Sequence, residues 1–393
     1  MENPKLRIDI QITPFTHQDQ KGFILRDALS EERTLFVSEG AALLIPLLDG
    51  KHSIQEIHQT LENTTGQEVV LKEIQQFIQL LEENFFLDTP AYQKFVDDLY
   101  QEYKKSSVRK SLLAGNGYPA QEEDLTKYLN DIFKEVSIDS DLNLPKNIRG
   151  VVVPHIDIQR GKENYATIFS ILKNYKPADT YIILGVNHHY LTTNPFIFTN
   201  KPYETPLGRL EIDTGLLSGL QKNSNWDIFE GELAHKGEHS VEFPALFLSY
   251  IYPDCNFKIL PILCNFHNKN DKRIDILIYG LQYYIQNHPE KIVLIASVDY
   301  SHIGPQFGWE RKVDENDIAA VKSQDLKTLG FMQKGNAEGF YQDIVKDGNK
   351  RHIDALGAGY VFLRTLNNPQ GKLINYDQAF DPFNTVTFAS LLF

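Results

Sequence analysis

The feature that most limits how this chain folds is an alternation that begins near residue 150. Short apolar runs of strand length (Val151–Val153, Tyr181–Val186, Ile259–Leu263 and Ile292–Val298) are separated by stretches with helical spacing near 163–175, 242–251 and 273–286. A last strand is expected near 385–392. Strands that are apolar at every position must be covered on both faces, and strands that alternate with helices run parallel. The expected fold class is therefore α/β, with a mainly parallel central sheet covered by helices on both faces.

The residues that follow these strands carry the functional signal, because ligands of open α/β sheets bind beyond the carboxyl ends of the strands. VVVP runs into His155-Ile156-Asp157, YIILGV into Asn187-His188-His189, the strand before 265 into Asn265-Phe266-His267, and VLIASV into Asp299-Tyr300-Ser301-His302. One histidine after a strand is an ordinary surface or packing residue. Several at one sheet edge point to a site. His239, in Gly237-Glu238-His239-Ser240, opens a helix where Glu238, Ser240 and Glu242 are candidate caps, and it is a further candidate to line that site. His188 reads as structural or supporting, since adjacent histidines rarely point the same way, and His235, His267 and His288 read as surface residues.

A different pattern precedes residue 107. Ser53-Ile54-Gln55-Glu56 is a capping box that starts a helix with Ile57 and Leu61 facing inward. Val70, Ile74, Phe77, Ile78 and Leu81 predict a second helix ending near Asn84, before the strand-like Phe85-Phe86-Leu87. Helix, helix and short strand suggest a small winged-helix domain over 1–92, joined by an amphipathic linker helix over 93–106 to a larger domain over 107–393. A chain of 393 residues exceeds one typical core, which agrees with two domains.

Composition removes several function classes. A formal net charge of −13 opposes binding to phosphate backbones, so nucleic acid is not an expected partner. Two cysteines, Cys255 and Cys264, exclude a disulfide framework and a zinc ribbon, and fit a reducing, cytoplasmic setting. The first thirty residues lack the pattern of a secretory signal, and no apolar run is long enough to span a bilayer. No Gly-x-Ser-x-Gly elbow occurs, and Gly357-Ala358-Gly359 lies in a helical pattern without the strand and acidic partner of a dinucleotide fingerprint.

The larger region resembles the Memo family, which is related in fold to the class III extradiol dioxygenases that use non-haem iron. The resemblance begins at VRKSLLAGNGYPAQEEDLTKYLNDIF and continues through VVVPHIDIQRG, ILGVNHH, YETPLGRLEID, GEHSVEF and SVDYSHIG, in the family's order. Three positions depart from its pattern. Gly117 stands where the family's opening turn has Phe, Ile156-Asp157 replaces Ala-Gly after the first histidine, and HIDALGAGYVFL carries Asp354-Ala355 where the family has Cys-Gly. The N-terminal pattern LLDGKHSIQEIHQTL followed by LLEENFFL resembles PqqD-like domains, which grip leader peptides. Its second helix carries one Lys against three Glu over VLKEIQQFIQLLEEN, which suits a peptide or partner protein better than DNA.

Carried over by position, the resemblance implies a metal site of His155, His189 and Asp354, with Asp299 and His302 beside it; His239, read from its own place at a helix start, is the third catalytic candidate. Two histidines and a carboxylate form the facial set of non-haem Fe(II) enzymes, so a divalent ion is implied, Fe(II) first, with Mn(II), Zn(II) or copper as alternatives. His302 is the candidate general acid or base, with Asp299 holding one of its ring nitrogens. Memo proteins of the AmmeMemoRadiSam type occur beside radical-SAM and AMMECR-type partners, which implies a place in a modification system. The alternative is a metal-free scaffold that holds a peptide or phosphopeptide in the same cleft.

Overall fold

The computed structural model describes residues 2–393 except 8, 18, 19, 28, 29, 137, 139–141, 189–191, 267, 289 and 290. It divides into two compact units, Met1–Ser106 with Pro305–Glu310, and Ser107–Gly304 with Arg311–Phe393.

The first unit opens with an antiparallel meander, β1 (Ile10–His17), β2 (Gln20–Asp27) and β3 (Ser30–Ser38), in which Leu25 of β2 lies opposite Ile12 and Leu35. A short α1 (Glu39–Ala42) leads to α2 (Ile54–Thr65), α3 (Leu71–Glu83) and α4 (Pro90–Lys105). The expected capping box forms in full. Ser53 Oγ accepts from the Glu56 N–H, the Glu56 carboxylate accepts from the Ser53 N–H, and Gly66 ends α2 in the left-handed region that lacks a Cβ penalty. Ile57, Leu61, Ile74, Ile78 and Leu81 share one buried core with Leu25, Val37 and Leu87. The sheet thus precedes the helix pair. After α3, where Phe85–Leu87 reads as a strand in the sequence, the chain forms an isolated bridge, Leu6–Leu87, flanked by hydrogen bonds from the Arg7 N–H to the Phe86 carbonyl and from the Asp88 N–H to the Lys5 carbonyl. Inside this unit the buried Arg7 guanidinium pairs with Asp27 at 2.9 Å and stacks 3.8 Å from the centre of the Tyr92 ring, so α4 is anchored to the unit's first residues.

The second unit is built on a ten-stranded sheet. In chain order its elements are α5 (Glu122–Lys134), β4 (Gly150–Val153), α6 (Ile158–Lys173), β5 (Thr180–Val186), β6 (Phe196–Phe198), β7 (Tyr203–Thr205), β8 (Gly208–Ile212), α7 (Thr214–Asn223), α8 (Glu242–Ile251) and β9 (Lys258–Cys264). They continue with α9 (Lys272–Asn287), β10 (Ile292–Ser297), β11 (His302–Ile303), α10 (Glu315–Gln333), α11 (Ala337–Val345), α12 (Leu356–Leu366), β12 (Lys372–Ala379) and β13 (Thr385–Leu392). Strands β4, β10, β5, β9 and β8 lie side by side in that order and run parallel. The sheet is mixed, because its margins are antiparallel: β13 pairs β4, β11 and β12 pair β13, β6 pairs β9, and β7 pairs β8. The margins escape a reading tuned to continuous apolar runs, since β12 (KLINYDQA) is polar and only half-buried. Helices α6 and α8 form one covering layer, and α12 with α9 and α11 forms another.

Glycines mark the closest approaches of helix and strand. A Cβ on Gly150 of β4 would meet the Phe362 ring at 2.7 Å, and one on Gly359 of α12 would meet Phe340 at 2.9 Å. The Gly-Ala-Gly run is therefore used for packing. Among the described residues no helix is long and apolar enough to cross a membrane.

Candidate metal centre

The register of the central strands explains why distant residues meet. Ser297 of β10 lies beside Val153 of β4, and Ala296 beside Leu184 of β5. The residues next along each strand, His155, Asp299 and His188, therefore emerge at one edge. Beyond β4, Asp157 caps α6 by accepting from the Gln159 and Arg160 N–H groups, which turns the chain immediately after His155.

His155 is buried, and its surroundings fix the ring. Its backbone N–H donates to Asp299 Oδ1 at 3.1 Å, and its Nδ1 lies 3.1 Å from the Ser297 carbonyl. A carbonyl only accepts, so Nδ1 carries the proton and Nε2 faces the site. Nε2 sits 3.1 Å from Asp354 Oδ2 and 3.9 Å from Asp299 Oδ2. Asp354 stands just before α12, and its Oδ1 accepts from the Asp299 N–H at 2.9 Å. Its other oxygen, Oδ2, is buried and accepts no hydrogen bond among the described residues. The charged His155 imidazole, 3.1 Å away, neutralises that oxygen in the metal-free protein, and a bound cation would take the place of the Nε2 proton. His302 Nε2 is 3.7 Å from the same oxygen, while its Nδ1 lies 3.0 Å from the carbonyls of Tyr300 and His352.

Two more histidines complete the cluster. The rings of His155, His188 and His239 form a near-equilateral group, with centroids 5.4, 5.3 and 5.2 Å apart. Ligand atoms of His155, His188 and Asp354 all lie within 4.8 Å of one another, as do those of His188, Glu238 and His239. The 3.1 Å between His155 Nε2 and Asp354 Oδ2 is the spacing of two ligands around an ion with bonds of about 2 Å. His189, the expected second histidine ligand, lies outside the described residues, as does His267. The histidine that the structure brings to His155 and Asp354 is His188, which the sequence had suggested was only supporting.

Charge is balanced within the cluster. Burial opposes charging of His155, but the Asp354 and Asp299 carboxylates outweigh it and raise its pKa to about 10. His188 moves the same way, with burial opposed by Glu238. Burial raises Asp299, whereas Asp354 is lowered because adjacent His155 outweighs its own burial. Asp299 therefore serves His155, and the hydrogen bonds that set the His302 tautomer come from backbone carbonyls. His235 also departs from expectation: it is fully buried between Tyr203 Oη at 2.8 Å and the Ile197 carbonyl at 3.0 Å, and burial pushes its pKa down to about 3. His288 is exposed, and Cys264 is a buried thiol whose ionisation burial opposes. No sequence signal separated His235 from a surface histidine.

The Arg109 segment frames the cluster from behind. Its buried guanidinium pairs with the Glu242 carboxylate and donates to the carbonyls of His235, at 2.8 Å, and Glu238, at 2.5 Å. Glu242 also accepts from the N–H groups of Leu112 and Leu113 and from Tyr118 Oη. The opening turn and the Gly-Glu-His-Ser-Val-Glu segment are thereby locked together.

A mixed α/β sheet with a histidine–carboxylate cluster at the carboxyl ends of its parallel strands defines a class of protein with a potential metal centre. The model of the Memo family, described as "Memo-like protein", matches residues 109–390, and the chain belongs to that family. A MEMO1 family protein of Aquifex aeolicus is 27% identical over 359 residues, covering 90% of this chain and 91% of the relative. That coverage extends into the first unit. A MEMO1 family protein of Methanosarcina barkeri is 30% identical over 278 residues, 69% of this chain and 93% of the relative. One from Thermococcus onnurineus is 26% identical over 300 residues, 73% and 99% respectively.

Proposed function

We propose that the second unit binds a divalent metal ion through two histidines and one carboxylate, Fe(II) being favoured, and uses it in redox or oxygenase-type chemistry. His155 and Asp354 supply two of the ligands, and the His188–His189 pair supplies the third. The observation that carries the reading is the buried pair of ligand-type atoms, Asp354 Oδ2 and His155 Nε2, 3.1 Å apart with His188 beside them. Imidazole and carboxylate suit Fe(II), Mn(II) and Zn(II), and the absence of a thiolate here disfavours Cu(I). A bound Fe(II) ion supplies open positions for oxygen and substrate.

The chain's own residues do the rest. His302 keeps its Nδ1 proton on backbone carbonyls and turns Nε2 to the site, where it can take or give a proton. His239, three residues before α8, lines the same space, its ring centre 5.3 Å from that of His155. Side-by-side titration of wild type, Asp354→Ala and Asp354→Cys with Fe(II), Mn(II) and Zn(II) tests the assignment. Alanine should weaken binding of all three strongly, and cysteine should shift preference towards Zn(II). Equal affinity and preference across the three proteins would remove Asp354 from the site.

The first unit belongs to the same reading as a module that recognises a peptide or partner protein, in a cytoplasmic, radical-SAM-associated modification system. Support comes from its separate core and from a second helix with Glu73, Glu82 and Glu83 against Lys72, a poor surface for nucleic acid. A fragment spanning 1–106 should give a helical circular dichroism spectrum and unfold cooperatively. A disordered fragment would remove the module.

A further inference from the structure

Glu238 is a buried carboxylate beside the cluster, with a side chain 0% exposed. Its spacing to His188 and His239 fits a second cation site, but its oxygens are already committed. Oε1 accepts from the backbone N–H groups of His239 and Ser240, both at 2.9 Å, and Oε2 accepts from the His188 N–H at 3.0 Å. Two rings also face it: His188 Nδ1 lies 3.0 Å from both oxygens, within hydrogen-bond reach, and His239 Nδ1 lies 3.6 Å from Oε1, beyond it. A carboxylate that holds three backbone donors is poorly placed to release an oxygen to an ion, and well placed to hold a ring N–H.

We infer that Glu238 is a positioning residue that fixes His188 as the Nδ1–H tautomer, so that Nε2 is the nitrogen presented to the site. The local frame supports this. Ser240 Oγ accepts from the Val186 N–H and donates to the Val186 carbonyl, each at 3.0 Å, tying Glu238 to the end of the strand that carries His188. A Cβ on Gly185 would meet Ser240 Oγ at 2.6 Å, so glycine there permits the approach. Arg109 holds the Glu238 carbonyl from the other side. One carboxylate thus orders the backbone at 188, 239 and 240 and the ring of His188. The consequence for metal affinity rests on the reading of the site given above, whereas the tautomer does not.

The test uses the full chain, metal-free, with 15N-labelled histidine, on the alkaline side of the His188 titration. The His188 signals are assigned by their absence from His188→Asn. The expected result is a proton on Nδ1, against the Nε2–H form that free histidine prefers, and loss of that preference in Glu238→Gln. Cobalt(II) titration supplies the second readout. Glu238→Gln should bind about 10–100-fold more weakly with an unchanged visible spectrum, while His188→Asn should change the spectrum itself. Wild-type His188 carrying its proton on Nε2 overturns the inference even if Glu238→Gln fails to fold, and so does Glu238→Gln with unaltered tautomer and affinity. A wild type with the Nδ1 proton that takes up no cobalt upholds the positioning role and sinks the metal reading alone.

Discussion

Asp325 offers a sharp test of how the site's loops are held. Its fully buried carboxylate lies on α10 and accepts from Ser301 Oγ and Thr387 Oγ1, each at 2.6 Å, from Tyr376 Oη at 3.0 Å, and from the Arg351 guanidinium. Ser301 precedes His302, whose N–H donates to the Arg351 carbonyl at 2.7 Å, so one carboxylate anchors both loops that carry His302 and Asp354. Asp325→Ala leaves the Arg351 side chain, 10% exposed, without its nearer counter-charge and facing Asp343 at 3.6 Å, and strands three hydroxyls. Removing one partner of a buried ion pair costs about 3–5 kcal/mol, and the hydroxyls find water only in part. With an unfolding entropy of about 2.1 cal/mol/K per residue, a loss of about 4 kcal/mol corresponds to a fall of about 7 °C in the unfolding temperature of a unit this size. Thermal unfolding followed in the near-ultraviolet, where the aromatic-rich second unit reports, should show that fall. Asp325→Leu combined with Arg351→Met should recover most of it, because no charge then remains unpaired. A fall worth less than about 1 kcal/mol in Asp325→Ala would refute the anchoring argument.

Two further outcomes follow from the cluster. His302→Ala should abolish any turnover while leaving metal affinity within a few-fold of wild type, whereas His155→Ala should lose the metal; equal loss in isothermal titration would make His302 a ligand. The folded-state pKa of His155 is raised from 6.5 to about 10, so the stability its charge supplies is fully present below pH 6.5 and is lost as pH rises through about 10. Urea midpoints of the metal-free protein should therefore decline between those values. Because the ligand nitrogen must shed its proton, metal affinity should run the other way, rising with pH; a midpoint that climbs across this window would contradict the cluster's charge balance.

What was legible in the sequence was whatever depended on local pattern. Continuous apolar runs placed β4, β5, β9 and β10, and the polar residues directly after them gave His155, Asp299 and His302. The capping box at Ser53 was equally plain, because both reciprocal hydrogen bonds lie within four residues. The resemblance to the Memo family placed Asp354, although the contact itself joins residues 55 positions apart from Asp299. Three kinds of information were not local. That Glu238 holds the ring of His188 is a tertiary contact across 50 residues. Glu238, Asp325 and His235 are buried, yet buried and exposed acids or imidazoles look identical in a string of letters. The strands β1–β3 and β12 mix polar residues with apolar ones and so lack a continuous apolar run, although Leu25 and Val37 of the meander reach the first unit's core.

His155, Asp354 and the histidines after β5 are proposed to hold one metal ion. Elemental analysis of the full chain, purified anaerobically without chelators or affinity metals, tests this most directly when Asp354→Ala is purified in parallel. The expected result is close to one equivalent of a divalent ion, iron foremost, in the wild type and little in the variant. Wild-type protein that is folded, free of metal as isolated, and no better than Asp354→Ala at binding Fe(II), Mn(II) or Zn(II) would contradict the claim.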